Sequence, residues 1–91
     1  MELEKINVKL QKLDNWQYIN GVIQKSFRFD DYQTTMFFVN AIAWISHNQN
    51  HHPDIEMGYN SCTVKYSTHE TSGISENDFI CAAKVDSLAT I

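Results

Sequence analysis

Trp16-Gln17-Tyr18-Ile19-Asn20-Gly21-Val22-Ile23-Gln24-Lys25-Ser26-Phe27-Arg28-Phe29 reads as one β-hairpin. Asn20-Gly21 at its centre is the strongest two-residue hairpin signal, because a type I′ turn needs φ > 0 at both central positions. Trp16 to Ile19 is the first strand and Val22 to Phe29 the returning one. Ile23, Phe27 and Phe29 point one way, with Lys25 as the exception, and Gln24, Ser26 and Arg28 point the other. The hairpin therefore has one buried face and one wet face.

A second hairpin lies further along. Ile55, Met57 and Tyr59 alternate with polar residues and Gly58, Asn60-Ser61 is a plausible turn, and Cys62, Val64 and Tyr66 alternate with Thr63, Lys65 and Ser67. Helical patterns separate and flank the two hairpins. Leu3, Ile6, Leu10 and Leu13 form one stripe of an amphipathic helix over residues 2–13. Asp30-Asp31 can cap a helix over residues 31–50, since a carboxylate accepts from the unpaired N–H groups of the first turn. Between Met36 and Ile45 only Asn40 is polar. So apolar a circumference calls for cover on two sides, by the helix's own sheet and by another surface such as a second subunit. Pro53 disfavours helix at His52 and ends it. Residues 70–74 form a polar loop, Ser75-Glu76-Asn77-Asp78 approximates a capping box, and Phe79, Ala82, Ala83 and Val85 belong to a last helix ending near Leu88. The order helix-strand-strand-helix-strand-strand-helix predicts an α+β fold, a four-stranded antiparallel sheet with three helices on one face.

A chain of 91 residues is expected to be one small domain, residues 1–91, with a modest core that oligomerisation would supplement. Its net charge of −4 and the absence of any Lys/Arg run argue against nucleic-acid binding. No stretch has the length and apolarity of a membrane span, and the N-terminus lacks a signal peptide's basic and apolar regions, so a cytoplasmic protein is expected. Cys62 and Cys81 lack C-x-x-C spacing and are expected to be free, half-buried thiols.

Three of the four histidines stand in His47-Asn48-Gln49-Asn50-His51-His52-Pro53-Asp54, at the predicted helix end. Imidazole is the side chain whose ordinary pKa lies nearest neutrality, so a cluster of it can both give and take protons. His51-His52-Pro53, then Tyr59, His69 and Asp78, resembles the signature of the pterin-4a-carbinolamine dehydratases. The Trp16 hairpin, Ser26 to Phe29, Ser67-Thr68-His69 and Gly73-Ile74-Ser75 are also similar to that family, so the resemblance covers almost the whole chain.

That resemblance implies a small enzyme without metal or other cofactor. It would remove water from 4a-hydroxytetrahydropterin and yield quinonoid dihydropterin, the step that regenerates tetrahydrobiopterin after aromatic amino-acid hydroxylation. By position, His51, His52 and His69 are the implied catalytic histidines, with Asn50, Pro53, Ser67, Thr68 and Asp78 about the substrate. The family position corresponding to His47 is often a carboxylate, so this chain departs from the pattern there; His47 is included among the substrate-binding candidates. The small core and the apolarity of helix 31–50 together lead to the expectation of a homodimer or homotetramer with that helix as its contact surface.

The residue types suit the chemistry on their own terms. Expelling hydroxide from carbon near neutral pH needs an acid for the leaving oxygen and a base for the ring proton, and such help is typically worth about 10²–10⁴-fold. Asp78 has two roles open to it: orienting an imidazole and favouring its charged form, or pairing with the N–H groups of the last helix. Trp16 and Tyr59 can line a flat heterocycle's pocket or serve the core. Two other readings compete. His47 and His51 stand at i, i+4 and, with His69, can ligate a metal if the helix persists. A binding module is the other, since animal relatives in the family also act as dimerisation cofactors of a homeodomain transcription factor.

Overall fold

The computed structural model describes residues 1–68 and 73–89. Its elements run α1 (Leu3–Leu10), β1 (Gln17–Ile19), β2 (Val22–Arg28), α2 (Tyr32–Gln49), β3 (Asp54–Met57), β4 (Ser61–Tyr66) and α3 (Glu76–Ala89). The strands form one antiparallel sheet in the order β1-β2-β4-β3, and the helices gather on one of its faces, the α+β architecture expected from the alternation of hairpins and helices.

The first hairpin turns at Asn20 (φ 51°) and Gly21 (φ 83°), the two positive angles that a type I′ turn requires. Pairing of Ile23 with Tyr66, Lys25 with Val64 and Phe27 with Cys62 puts the apolar halves of β2 and β4 on one face. Ile55 and Met57 extend that face at the β3 edge, opposite Val64 and Cys62. The other face is polar: the Ser26 and Thr63 hydroxyls share a hydrogen bond of 2.7 Å, and Lys65 pairs with Glu56. β3 stops at Met57, so Tyr59 belongs to the turn and not to the strand, and the Gly58 N–H bonds to the Ser61 carbonyl.

Lys25, the one charged residue on the inward side of β2, has a partner that lies far along the chain. Its ammonium meets Asp86 Oδ1 of α3 at 2.8 Å, and the Trp16 indole N–H donates to both oxygens of the same carboxylate at 3.1 and 3.0 Å. The arrangement satisfies a largely buried cation and a buried indole with one carboxylate.

Helix α2 starts at Asp31, whose side chain accepts from the Thr34 N–H at 2.8 Å. That bond holds the Asp31 carboxyl below its ordinary pKa. Thr35, Phe38, Ile42 and Ser46 form the buried stripe, with the Phe38 ring 4.7 Å from Phe27 and 4.9 Å from Phe29. The opposite side is bare in this single chain: Phe37 is 64% and Trp44 67% exposed.

Helix α1 is shorter than the 2–13 its apolar stripe suggests. Its continuation tightens to i→i−3 bonds, Lys12 N–H to Lys9 and Leu13 N–H to Leu10, which bring Leu13 onto the core while Leu3 stays in solvent. In α3, Phe79, Ala82 and Val85 face inward together with Asp78 and Cys81, whereas Ala83 is exposed. Cys62 and Cys81 are free and fully buried, not half-buried. No described helix is long and apolar enough to cross a membrane.

Candidate active site

The site is built where α2 ends. Asn50 takes the left-handed conformation (φ 50°, ψ 43°), which asparagine tolerates better than most residues. The Asn50 N–H bonds to the His47 carbonyl and the His51 N–H reaches back to Ser46, the pair of bonds that defines a Schellman ending. This turn takes His51 off the helical path and lays its ring over the end of β4. His47 and His51 therefore do not share a helical face, which removes the i, i+4 geometry on which a metal reading depends. Among the described residues no three His, Cys, Asp or Glu side chains converge as a metal site would need.

The His51 ring meets two partners. Its Nε2 lies 2.5 Å from Asp78 Oδ1, and its face stacks on Tyr66, with centroids 5.7 Å apart and planes at 12°. Asp78 is fully buried at the start of α3. Its second oxygen, Oδ2, accepts from the Thr68 hydroxyl at 2.8 Å and the Ser75 N–H at 2.9 Å. The same carboxylate thus caps α3 and orients an imidazole, one oxygen for each task. Thr68 has a single hydroxyl proton, and the carboxylate can only accept, so the Ser75 hydroxyl donates in its 2.7 Å bond with Thr68 Oγ1. Thr68 is fixed in turn by paired backbone bonds to Gly73. With Nε2 engaged, Nδ1 is the nitrogen of His51 left for exchange with a ligand.

Beside this ring opens a polar cavity of about 560 Å³. The turn after α2 supplies one wall, Asn50 through Asp54, with both His51 and His52 in it. Ser67 and Thr68, which follow β4, and Ser75 and Asn77, at the start of α3, complete the lining. His51 is nearly buried, with 13% of its side chain exposed, whereas His52 is open to solvent. His69 lies outside the described residues.

Asn50, His51, His52, Pro53, Ser67 and Thr68 are thus brought together about one cavity, with Asp78 behind His51. His47 stands apart on the exposed side of α2, its ring 6.3 Å from that of Trp44 and outside the cavity lining. Trp16 is core, and Tyr59 stacks on Tyr32 at 6.2 Å, so neither aromatic lines the cavity. Asp54, Ser75 and Asn77 belong to the lining and carry no site signal in the sequence. Asp54 reads there as the first residue of a strand, and the other two as parts of a helix cap.

The sequence profile described as Pterin 4 alpha carbinolamine dehydratase matches residues 1–88. A Nitrosospira multiformis protein that carries a provisional pterin-4-alpha-carbinolamine dehydratase name is 56% identical over 88 residues, 97% of this chain and 78% of that protein. A Nitrosomonas eutropha protein of the same provisional name is 53% identical over 85 residues, 93% of this chain and 75% of the other. Among solved structures, a transcriptional coactivator/pterin dehydratase from Brucella melitensis superposes with a TM-score of 0.94 at 31% identity, covering 98% of this chain and 97% of that one. A pterin dehydratase-like protein described as a RuBisCO assembly factor in the alpha-carboxysome superposes with a TM-score of 0.68 at 28% identity, over 81% and 86% of the two chains. With that profile spanning nearly its whole length and relatives above 50% identity, this chain belongs to the pterin-4a-carbinolamine dehydratase family.

Proposed function

We propose that this chain is a 4a-hydroxytetrahydropterin dehydratase working by histidine general acid–base catalysis. The observation that carries the proposal is the His51–Asp78 pair, set in the wall of a polar cavity in which His52 also stands. In the reaction the bond between the 4a carbon and its hydroxyl oxygen breaks, an acid protonates the departing oxygen, and a base takes a proton from the ring. Water leaves, and quinonoid dihydropterin remains. His51 exchanges its proton at Nδ1, because Asp78 fixes Nε2. His69, assigned by the family motif, is the other member of the transferring pair, and His52 orients the pterin. Proton transfer by groups of this kind typically contributes about 10²–10⁴-fold.

We also propose that the chain self-associates through α2. The support is the bare side of that helix, which leaves Phe37 and Trp44 about two-thirds exposed. Isolated exposed apolar residues are ordinary, but large aromatic rings along one helix mark a contact surface.

Purified protein should accelerate the dehydration of 4a-hydroxytetrahydropterin, with the rate unchanged by a chelator. No acceleration at micromolar enzyme would reject the catalytic reading, and a rate abolished by the chelator would replace it with a metal-dependent one.

A further inference from the structure

We infer that Tyr66 is a positioning residue for His51, its ring being the floor that sets the plane of the imidazole. The inference rests on the acid–base role proposed above for His51. Tyr66 is the last residue of β4 and occupies the inward position of the alternation that begins with Cys62 and Val64, and it is fully buried. Its ring lies almost parallel to that of His51, 12° apart with centroids at 5.7 Å, within the range of offset stacking.

One hydrogen bond fixes a point on a ring, not its plane. The Nε2 contact with Asp78 alone would leave the imidazole free to turn about the line joining the two atoms, since the terminal torsion of histidine is broad. Turning would change the direction in which Nδ1 is presented to a ligand. The Tyr66 face removes that freedom from one side. It is itself braced: the Trp16 ring lies 6.4 Å away, and the Trp16 indole is held by Asp86. Tyr66 meets His51 through its ring face and not through its hydroxyl, which is buried beside the Ser46 side chain of α2. Among the described residues, the titratable groups about His51 and its two partners are Asp78 and Cys81 from α3, Tyr66 from β4, and His52 and Asp54 in the cavity lining.

The test combines nuclear magnetic resonance with kinetics. In the unmodified protein, ring protons of Tyr66 and His51 should show cross-relaxation, and its absence would overturn the inference whatever the variants do. Tyr66→Phe keeps the face and should leave kcat within about twofold and the His51 titration curve in place. Tyr66→Leu, or Tyr66→Met should the leucine variant not fold, removes the face. It should lower kcat by about 3- to 10-fold with KM little changed, the size expected of one aromatic contact, and shift the His51 titration or its tautomer balance. A folded leucine or methionine variant with the His51 titration and kcat of the unmodified protein would overturn the inference. So would a Tyr66→Phe variant as impaired as they are, since that would assign the effect to the hydroxyl. The cross-relaxation and titration arms need no substrate, so they decide this inference even if the dehydratase reading fails.

Discussion

His51 Nε2 and Asp78 Oδ1 lie 2.5 Å apart across a sequence separation of 27 residues, and the aspartate is the fully buried member of the pair. A carboxylate that accepts at Nε2 keeps the neutral ring's proton there and leaves Nδ1 able to accept one. Asp78→Asn keeps an oxygen for the Ser75 N–H and the Thr68 hydroxyl but turns an amide N–H toward His51, which favours the opposite tautomer. The expected result is a folded enzyme with kcat lowered by about 10²-fold or more, the scale of a lost acid–base contribution. Asp78→Ala should in addition lose about 1–3 kcal/mol of stability, because the partly buried Thr68 hydroxyl and Ser75 N–H are left without their acceptor. Denaturant unfolding and steady-state kinetics on the two variants check both statements.

Local chemistry made much of this legible beforehand. Asn20-Gly21 names its turn type, the alternation of Cys62, Val64 and Tyr66 names the buried face, and Pro53 marks where a helix cannot continue. Contacts made only after folding were not legible. Lys25 looks like an exception until Asp86, 61 residues away, is brought beneath the sheet. The family motif points to His51, yet nothing in a strand's alternation says that Tyr66 will lie under that imidazole. His47 shows the reverse error: helical spacing groups it with His51, but the left-handed turn at Asn50 separates them.

The buried thiols predict an alkaline weakness. Burial raises the pKa of both Cys62 and Cys81, and for Cys81 the Asp78 carboxylate adds to the effect. The unfolded chain gives up these protons near the ordinary value of 9.0 while the native state still holds them. Above that pH the native state binds more protons, so stability is complete below about pH 8 and falls as pH rises further. Thermal melts at about pH 7.5 and pH 10 should show a lower Tm at the higher value, and a Cys62→Ala/Cys81→Ala double variant should reduce the difference. An equal pH dependence in that variant would assign the loss to other groups.

Helix α2 separates two kinds of aromatic. Phe38 is buried against Phe27 and Phe29, whereas Phe37 and Trp44 are 64% and 67% exposed. A charge at Phe38 should unfold the chain, since even its truncation costs about 3–5 kcal/mol. Phe37→Asp and Trp44→Asp should leave the fold intact and dissociate the proposed assembly. Light scattering at micromolar concentration, read with circular dichroism, distinguishes these outcomes. A monomeric unmodified protein would remove the self-association proposal.

The histidines should separate by kinetics. His51 is nearly buried and held on two sides, the condition for a group that must return to one geometry at every turnover. His52 is exposed in the cavity wall and kept in extended geometry by Pro53, which suits a fixed bond to the ligand. His51→Ala should therefore lower kcat more than it raises KM, and His69→Ala should do the same if it completes the transferring pair. His52→Ala should act mainly on KM. His47→Ala should be the mildest of the four, because His47 packs against Trp44 outside the cavity. A mechanism that needs one protonated and one neutral imidazole also gives a bell-shaped rate between roughly pH 5 and 9. Were His47→Ala the most damaging change and His69→Ala near normal, the proton-transfer assignment would fall, and a metal-dependent site that includes His47 would have to be reconsidered.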